Sequence, residues 1–420
     1  MDRFQLGVDR ALDELAVDRA APVLVACSGG PDSAALAHAA MALAAAGRLG
    51  PVTLCHIDHR LRPGSAADAD LVAALAAAGG AAFVAVQVDV PRDQGSLEAA
   101  ARAVRYQALF AAAAERGAGA VLVGHTARDQ VETVVMRLLR GTGVAGLAGI
   151  PARRDLIARP LLGASRDAVE AYCQAHALAV VDDPSNRDVR HFRNRVRLEI
   201  LPALRRANPS VDDAVLRLAA AAGEARAALD FAADLLAESA AAPGGGWQIG
   251  ALARAPGSVL AHFLAREVGA AGGGSLEAPH HRALAGLVGS STGGTLRVDL
   301  PRLTAWREYG VLRLEPPGGA ATPEPPSPLE VTGPDGPYQV RPWRPGDRMQ
   351  PARLGGRSRK LSDLFIDARV PRRVRAAARV VTRASDGRIE WAEHLGSAFG
   401  SSIAVVTLTP RETVATNKNR

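Results

Sequence analysis

Residues 22–46 read PVLVACSGGPDSAALAHAAMALAAA, and this stretch restricts the fold more than any other. Val23 to Cys27 are an unbroken apolar run, the pattern of a strand buried on both faces of a parallel sheet. Ser28, Gly29 and Gly30 follow as a turn in which two residues without Cβ let the backbone approach an anion. Pro31 suits a first helical turn, and Leu36, Ala39, Ala40 and Leu43 then recur at helical spacing. The free amides of such a helix start, with its dipole, point back at the Gly-Gly turn and make a site for phosphate. An ordinary tight connection would use similar residues. The chain has only two lysines, Lys360 and Lys418, so the lysine-bearing GxxxxGK[ST] loop is absent.

The first 180 residues continue the alternation. Apolar runs at 52–57, 83–88 and 120–124, with a weaker one at 156–158, predict strands. Helical stretches near 66–78, 96–116, 129–140 and 165–177 separate them. The pattern predicts an α/β fold with a doubly wound parallel sheet and ligands at the carboxyl ends of its strands. At 420 residues, two or three domains are expected. The expected division is a phosphate-binding α/β domain at 1–214, a helix-rich segment at 215–316, a Pro/Gly-rich linker at 317–337 and a small α+β domain at 338–410.

A formal charge of +7, almost all from arginine, invites a polyanionic partner. Cys27, Cys55 and Cys173 lie far apart without a CxxC pair, against a disulfide framework, a zinc ribbon or a cysteine-held cluster. The first residues carry charges throughout, and no run reaches about 18 apolar residues, so a cytoplasmic protein without a membrane partner is expected.

The strand ends carry the informative residues. After the second strand come His56, Asp58 and His59, read as nucleotide-facing or structural rather than as a metal set. After the third, Glu98, Arg102, Arg105 and Tyr106 share a helix, and the arginines are candidates for neutralising phosphate oxygens. After the fourth, Val131, Val134, Val135 and Leu138 form an apolar stripe, with Asp129 and Glu132 opposite it as an acidic site for an ammonium group or a metal-bridged phosphate. Further on, Arg193, Arg195 and Arg197 alternate ahead of an apolar helix and resemble a clamp for phosphate groups.

The six residues SGGPDS match the signature of the PP-loop ATP pyrophosphatases, which split ATP to AMP. With HIDHRLR, EAAARAVRY, GHTARDQVET, LRGTG, RPLL, DDPSN and FRNRVR in order, and RPWRPGDRM, RKLSDLFID and VPR after them, the chain resembles the tRNA(Ile)-lysidine synthetase family over nearly its whole length. The resemblance implies ATP and Mg²⁺ as cofactors. Their work is adenylation of C2 of the wobble cytidine in a CAU-anticodon tRNA(Ile), followed by attack of free L-lysine. Ser28, Gly29, Gly30, Pro31 and Ser33 would then hold the pyrophosphate, and Asp32 would bind Mg²⁺. Ile57, Gly124 and His125 would border the adenine, Arg105 and Arg197 would stabilise charge on the phosphates, and Asp129 and Glu132 would orient the lysine. Arg193, Arg195, Arg341, Arg344, Arg348, Lys360, Arg372 and Arg373 would contact tRNA. Two departures stand out: Arg128 replaces the first of two adjacent acids in HxxDDQxET, and Glu393-His394 stand where the family more often has Pro-Gly.

The middle segment has no comparable motif. It opens on an Ala-rich helix, and His262, His280 and His281 read as surface or helix-start residues; by analogy the segment contacts tRNA. From Arg341 to Arg388 basic residues outnumber acidic ones fourteen to four, favouring RNA backbone contact, while Trp343 either stacks on a base or closes a small core. A homodimer is carried as an expectation. The alternatives are a tRNA thiolase of the same loop class, which the scattered cysteines oppose, and a silent RNA-binding paralogue, for which only Arg128 speaks.

Overall fold

The structure is a computed structural model that describes residues 1–58, 65–89, 97–181, 188–274, 276–291, 294–317 and 329–407. The DDPSN motif and His59 lie outside the described residues, as do the side chains of Glu98, Arg372 and Arg373. The chain divides into two compact units, Met1–Ala228 and Leu229–Arg420.

The first unit runs α1 (Arg3–Glu14), β1 (Val23–Ala26), α2 (Pro31–Ala45), β2 (Val52–Asp58), α3 (Ser65–Ala78), β3 (Ala82–Gln87), α4 (Leu97–Glu115), β4 (Ala120–Val123) and α5 (Ala127–Arg140). It continues with α6 (Val144–Leu147), β5 (Arg153–Arg154), β6 (Ile157–Ala158), α7 (Arg166–Ala175), α8 (Phe192–Arg195), a π-helical turn at Val196–Ile200 and α9 (Leu201–Ala207), and then α10 (Val211–Ala240) begins. The sheet order is β3-β2-β1-β4-β6-β5, parallel except for the β5–β6 pair. Strand residues sort by period two. Val23, Val25, Leu54 and Leu122 face a core shared with α1, α2, α3 and α7, whereas Leu24, Cys55 and Val121 face α4. The sheet is therefore covered on both faces, which is why its strands read as continuous apolar runs.

The strand order reverses at β1. Successive crossovers lead outward to β2 and β3 on one side and to β4 on the other, so a crevice opens between the carboxyl ends of β1 and β4. The Gly29–Gly30 turn follows β1, and the Gly124–Asp129 segment follows β4. A Cβ on Gly124 would lie 2.9 Å from the carbonyl oxygen of Asp32, so glycine lets the end of β4 rest directly on the first turn of α2.

The second unit holds more strand than a helix-rich reading of the middle segment predicts. α11 (Ile249–Leu252), α12 (Gly257–Ala270) and α13 (Ala278–Gly289) pack on a four-stranded sheet of β7 (Trp247–Gln248), β8 (Leu296–Leu300), β9 (Leu303–Glu308) and β10 (Val311–Glu315), in the order β7-β10-β9-β8. His280 and His281 lie in the first turn of α13, where His280 Nδ1 accepts the Glu277 amide at 3.1 Å. His262 Nε2 is 2.7 Å from Asp230. Farther along, antiparallel strands at Tyr338–Pro342, Arg379–Arg383, Ile389–Ala392 and Gly396–Ser397 cover a small core built on Leu361, Leu364 and Phe365. Trp343 closes that core: its ring meets Phe365 edge-on at 5.4 Å, and its Nε1 donates to the carbonyl of Arg375. His394 has a φ of +66°, the left-handed region that favours glycine.

Candidate active site

Ser33 closes the phosphate turn. Its hydroxyl accepts the Ser28 amide at 3.1 Å and donates to the Gly30 carbonyl at 2.9 Å, with Ser28 Oγ 3.2 Å away. Gly29 has a φ of +85°, and Gly30 caps α2 without a side chain, so the first amides of the helix have no capping acceptor. Pro31 occupies the first helical position, where its missing N–H costs nothing.

Asp32 follows in the same turn, with Arg166 Nη1 3.5 Å from its Oδ1. Burial raises its pKa first; Arg166 acts against that, and Asp129 adds to it. Among the described residues, no three His, Cys, Asp or Glu side chains gather into a metal cage. Mg²⁺ carried by a nucleotide needs only one or two carboxylates, because phosphates and water complete its shell. A desolvated acid at the phosphate turn, with a second carboxylate near enough to repel it, fits that requirement.

Glu132 is the largest departure from the sequence reading. A helical wheel puts it opposite the apolar stripe of α5, yet it is fully buried, while Leu138 of the stripe is 58% exposed. Its Oε1 accepts from Arg197 Nε at 2.5 Å, and its Oε2 accepts from Arg193 Nε and Arg197 Nη2, both at 2.9 Å. Asp129 is equally engaged. Its Oδ2 accepts from the Thr126 amide at 2.8 Å and lies 3.2 Å from the Thr126 hydroxyl, and its Oδ1 accepts from Arg193 Nη2 at 2.6 Å. The two acids are thus the floor on which two arginines are fixed.

The alternating arginines also separate. Residues 192–200 are helical, so positions four apart share a face and the residue between them turns away. Arg193 and Arg197 point at the acids. Arg195 is exposed, with its guanidinium 5.3 Å from the Phe192 ring, and Arg140 lies 5.1 Å from the same ring. The π turn starting at Val196 carries Arg197, and such turns frequently occur at functional sites.

On the β4 side, His125 Nδ1 accepts from Arg159 Nε at 3.0 Å, which places the ring proton on Nε2. Burial lowers the His125 pKa to about 4, so the imidazole is neutral at physiological pH. Arg159 is 3% exposed, donates to the Pro151 carbonyl at 2.7 Å and reaches the Tyr106 hydroxyl at 3.4 Å. Sequence reading gave Arg159 no role, although a lone arginine after a short apolar run was a usable signal. Arg105, on α4, is near enough to Arg102 and Arg193 for their charges to oppose its own. Ile57 lies near the end of β2, and His56 is tied to the Cys27 carbonyl at 3.0 Å, a structural use of that ring.

In the small C-terminal core, Arg341 is bound bidentately to Asp347 at 2.8 and 2.9 Å. Arg348 donates to Ser358 at 3.1 Å; Arg344 and Lys360 are exposed.

A doubly wound sheet with a lysine-free phosphate turn at its switch point defines an ATP-binding protein of the PP-loop class. Residues 4–204 match the family described as a PP-loop domain. Residues 338–402 match the TilS substrate C-terminal domain. The chain is 46% identical over 324 residues to a tRNA(Ile)-lysidine synthase of Salinispora arenicola, covering 74% of this chain and 90% of that protein. It is 39% identical over 419 residues to one from Symbiobacterium thermophilum, covering 83% and 85%. Among solved structures, it is similar to a U34-tRNA thiolase from Methanococcus maripaludis, at a TM-score of 0.43 and 17% identity over 51% of this chain and 77% of that one. The chain belongs to the tRNA(Ile)-lysidine synthase family.

Proposed function

We propose that this chain ligates lysine to C2 of the wobble cytidine of a CAU-anticodon tRNA(Ile), through an adenylated tRNA, with release of pyrophosphate and AMP. The observation that carries the reading is the presence in one chain of a PP-loop domain and a TilS substrate C-terminal domain. The thiolase alternative lacks a nucleophile among the described cysteines. All three are buried, with pKa values pushed up by burial, that of Cys55 to about 12.

The pyrophosphate of ATP would lie on the amides of the Gly29–Gly30 turn and the start of α2. Asp32 would hold Mg²⁺, which when bound neutralises phosphate oxygens. Charge grows on those oxygens as the C2 oxygen attacks the α-phosphorus, and fixed guanidinium groups stabilise it. Arg197 is suited to this because Glu132 holds its Nε and Nη2, leaving Nη1 uncommitted among the described residues. Arg105, on α4, would add a second guanidinium to the phosphates. Ile57, Gly124 and the neutral His125 would border the adenine. Asp129, whose charge acts on Asp32, would receive the lysine ammonium as Arg193 gives way, and after losing a proton the amine would attack C2 and expel AMP. Arg195, Arg344, Arg348 and Lys360 would meet tRNA phosphates, with Arg341, Arg372 and Arg373 on the same basic run. Work on a tRNA substrate would lie in the cytoplasm, and a homodimer would be compatible with it.

The test is to incubate unmodified CAU-anticodon tRNA and Mg·ATP with labelled lysine or with a labelled sulfur donor. Label from lysine alone is expected in the tRNA. Label from sulfur would favour the thiolase, and no AMP from either would leave a binding protein.

A further inference from the structure

Arg128 is a group near the phosphate turn that the proposed reaction leaves without a part. It stands in the first turn of α5, directly after the strand end that rests on Asp32, and its charge acts on Asp32. Its Nε lies 3.3 Å from Glu132 Oε1 but is buried without a hydrogen-bond partner. Glu132 already accepts three hydrogen bonds without it, one at Oε1 from Arg197 and two at Oε2 from Arg193 and Arg197.

The neighbouring arginines differ. Arg166 is hydrogen-bonded to Glu170 at 2.5 Å, Arg205 to Asp212 at 2.7 Å, and Arg197 to Glu132. Among the described residues, no acceptor takes a hydrogen bond from Arg128. Burial, and next the charge of Arg197, push its pKa down; Glu132 acts against them, and Arg166 and Arg205 add to the repulsion. The side chain is 31% exposed, so it is open to a ligand from solvent. A half-buried guanidinium among other arginines, ion-paired with an acid that already accepts three hydrogen bonds and itself making none, is arranged for an anion that arrives from outside.

We propose that Arg128 is a ligand for the pyrophosphate group held at the Gly29–Gly30 turn, donating its planar fork to phosphate oxygens that a lysine-free loop leaves unmet. The inference rests on the reading of this site as one that splits ATP to AMP and pyrophosphate. It takes the chemistry at this position from cation binding to anion binding, the reverse of what a carboxylate would supply. The full chain should therefore bind free pyrophosphate even when no divalent cation is present.

The experiment is a calorimetric titration of inorganic pyrophosphate, in EDTA, into the full chain and into Arg128→Ala and Arg128→Gln. Glu132 keeps two arginines in either variant, and circular dichroism checks the fold. Binding to the wild type, weakened about tenfold or more in a folded variant, is expected for a lost charge-assisted hydrogen bond. No binding to the wild type, or affinity within twofold in a folded variant, overturns the inference; Gln serves if Ala does not fold. Lysine incorporation by the wild type is scored separately. Incorporation with pyrophosphate binding indifferent to Arg128 retires this inference alone, whereas Arg128-dependent binding without incorporation retires the ligase reading and leaves the anion site.

Discussion

Glu132 and Asp32 are both acids of the crevice, but their surroundings assign them opposite duties. Glu132 is fully buried among arginines, so removing its charge leaves the largely buried Arg197 without its hydrogen-bonded acid and Arg193 with Asp129 alone. Glu132→Ala should destabilise the fold by about 3–5 kcal/mol, measured by denaturant unfolding. Glu132→Gln should lower the rate of adenylation more than it raises the KM for lysine; a change in lysine KM alone would make Glu132 the ammonium site instead. Asp32 is an acid whose pKa is raised, mainly by burial, so its ionised form favours the unfolded chain. Asp32→Asn should stabilise the ligand-free protein at neutral pH, with the gain absent below the unfolded pKa of about 3.9 and complete above the raised folded value. The same variant should lose adenylation while keeping tRNA affinity. His125 has the opposite sign on acidification: with a folded pKa of about 4, it costs stability as pH falls from about 6.5, where only the unfolded ring takes up a proton. These differences were hidden in the sequence because a helical wheel sorts residues by polarity, and a carboxylate buried by ion pairs looks identical to one in solvent.

At the scale of elements, the strands and helices around the phosphate turn were legible to within a few residues. Apolar runs there are bounded by turn residues, and a sheet covered on both faces has no polar side to blur the pattern. The sheet of β8, β9 and β10 was missed although its signal was present. LRVDL alternates apolar and charged residues, with Leu296, Val298 and Leu300 turned inward while Arg297 and Asp299 are exposed. The alternate spacing of the arginines after His191 suggests one clamp, but residues 192–200 are helical, and a helix turns that spacing into two opposite faces. Gly124 is the element-scale test, because it allows β4 to touch the start of α2. Gly124→Ala would put a Cβ 2.9 Å from the Asp32 carbonyl oxygen and push the two backbones apart, so it should destabilise the fold by about 1–3 kcal/mol and raise the KM for ATP without altering tRNA affinity.

For the whole molecule, the basic surplus and the family of the C-terminal domain point to one polyanionic substrate. Not every arginine of the run is available to it: Arg341 is bound to Asp347, and Arg379 to Glu393. Exposed Arg344 and Lys360 are the better candidates, and replacing both with alanine should flatten the dependence of log K for tRNA on log salt by roughly 1.5–2, with the KM for ATP unchanged. The central claim, that ATP activates the tRNA before lysine attacks it, is tested most directly with lysine withheld. Label from the α-phosphate of ATP should then appear on the CAU-anticodon tRNA, and added lysine should release it as AMP, one for each lysine incorporated. AMP formation without labelled tRNA, or labelled tRNA that lysine cannot discharge, would contradict the account.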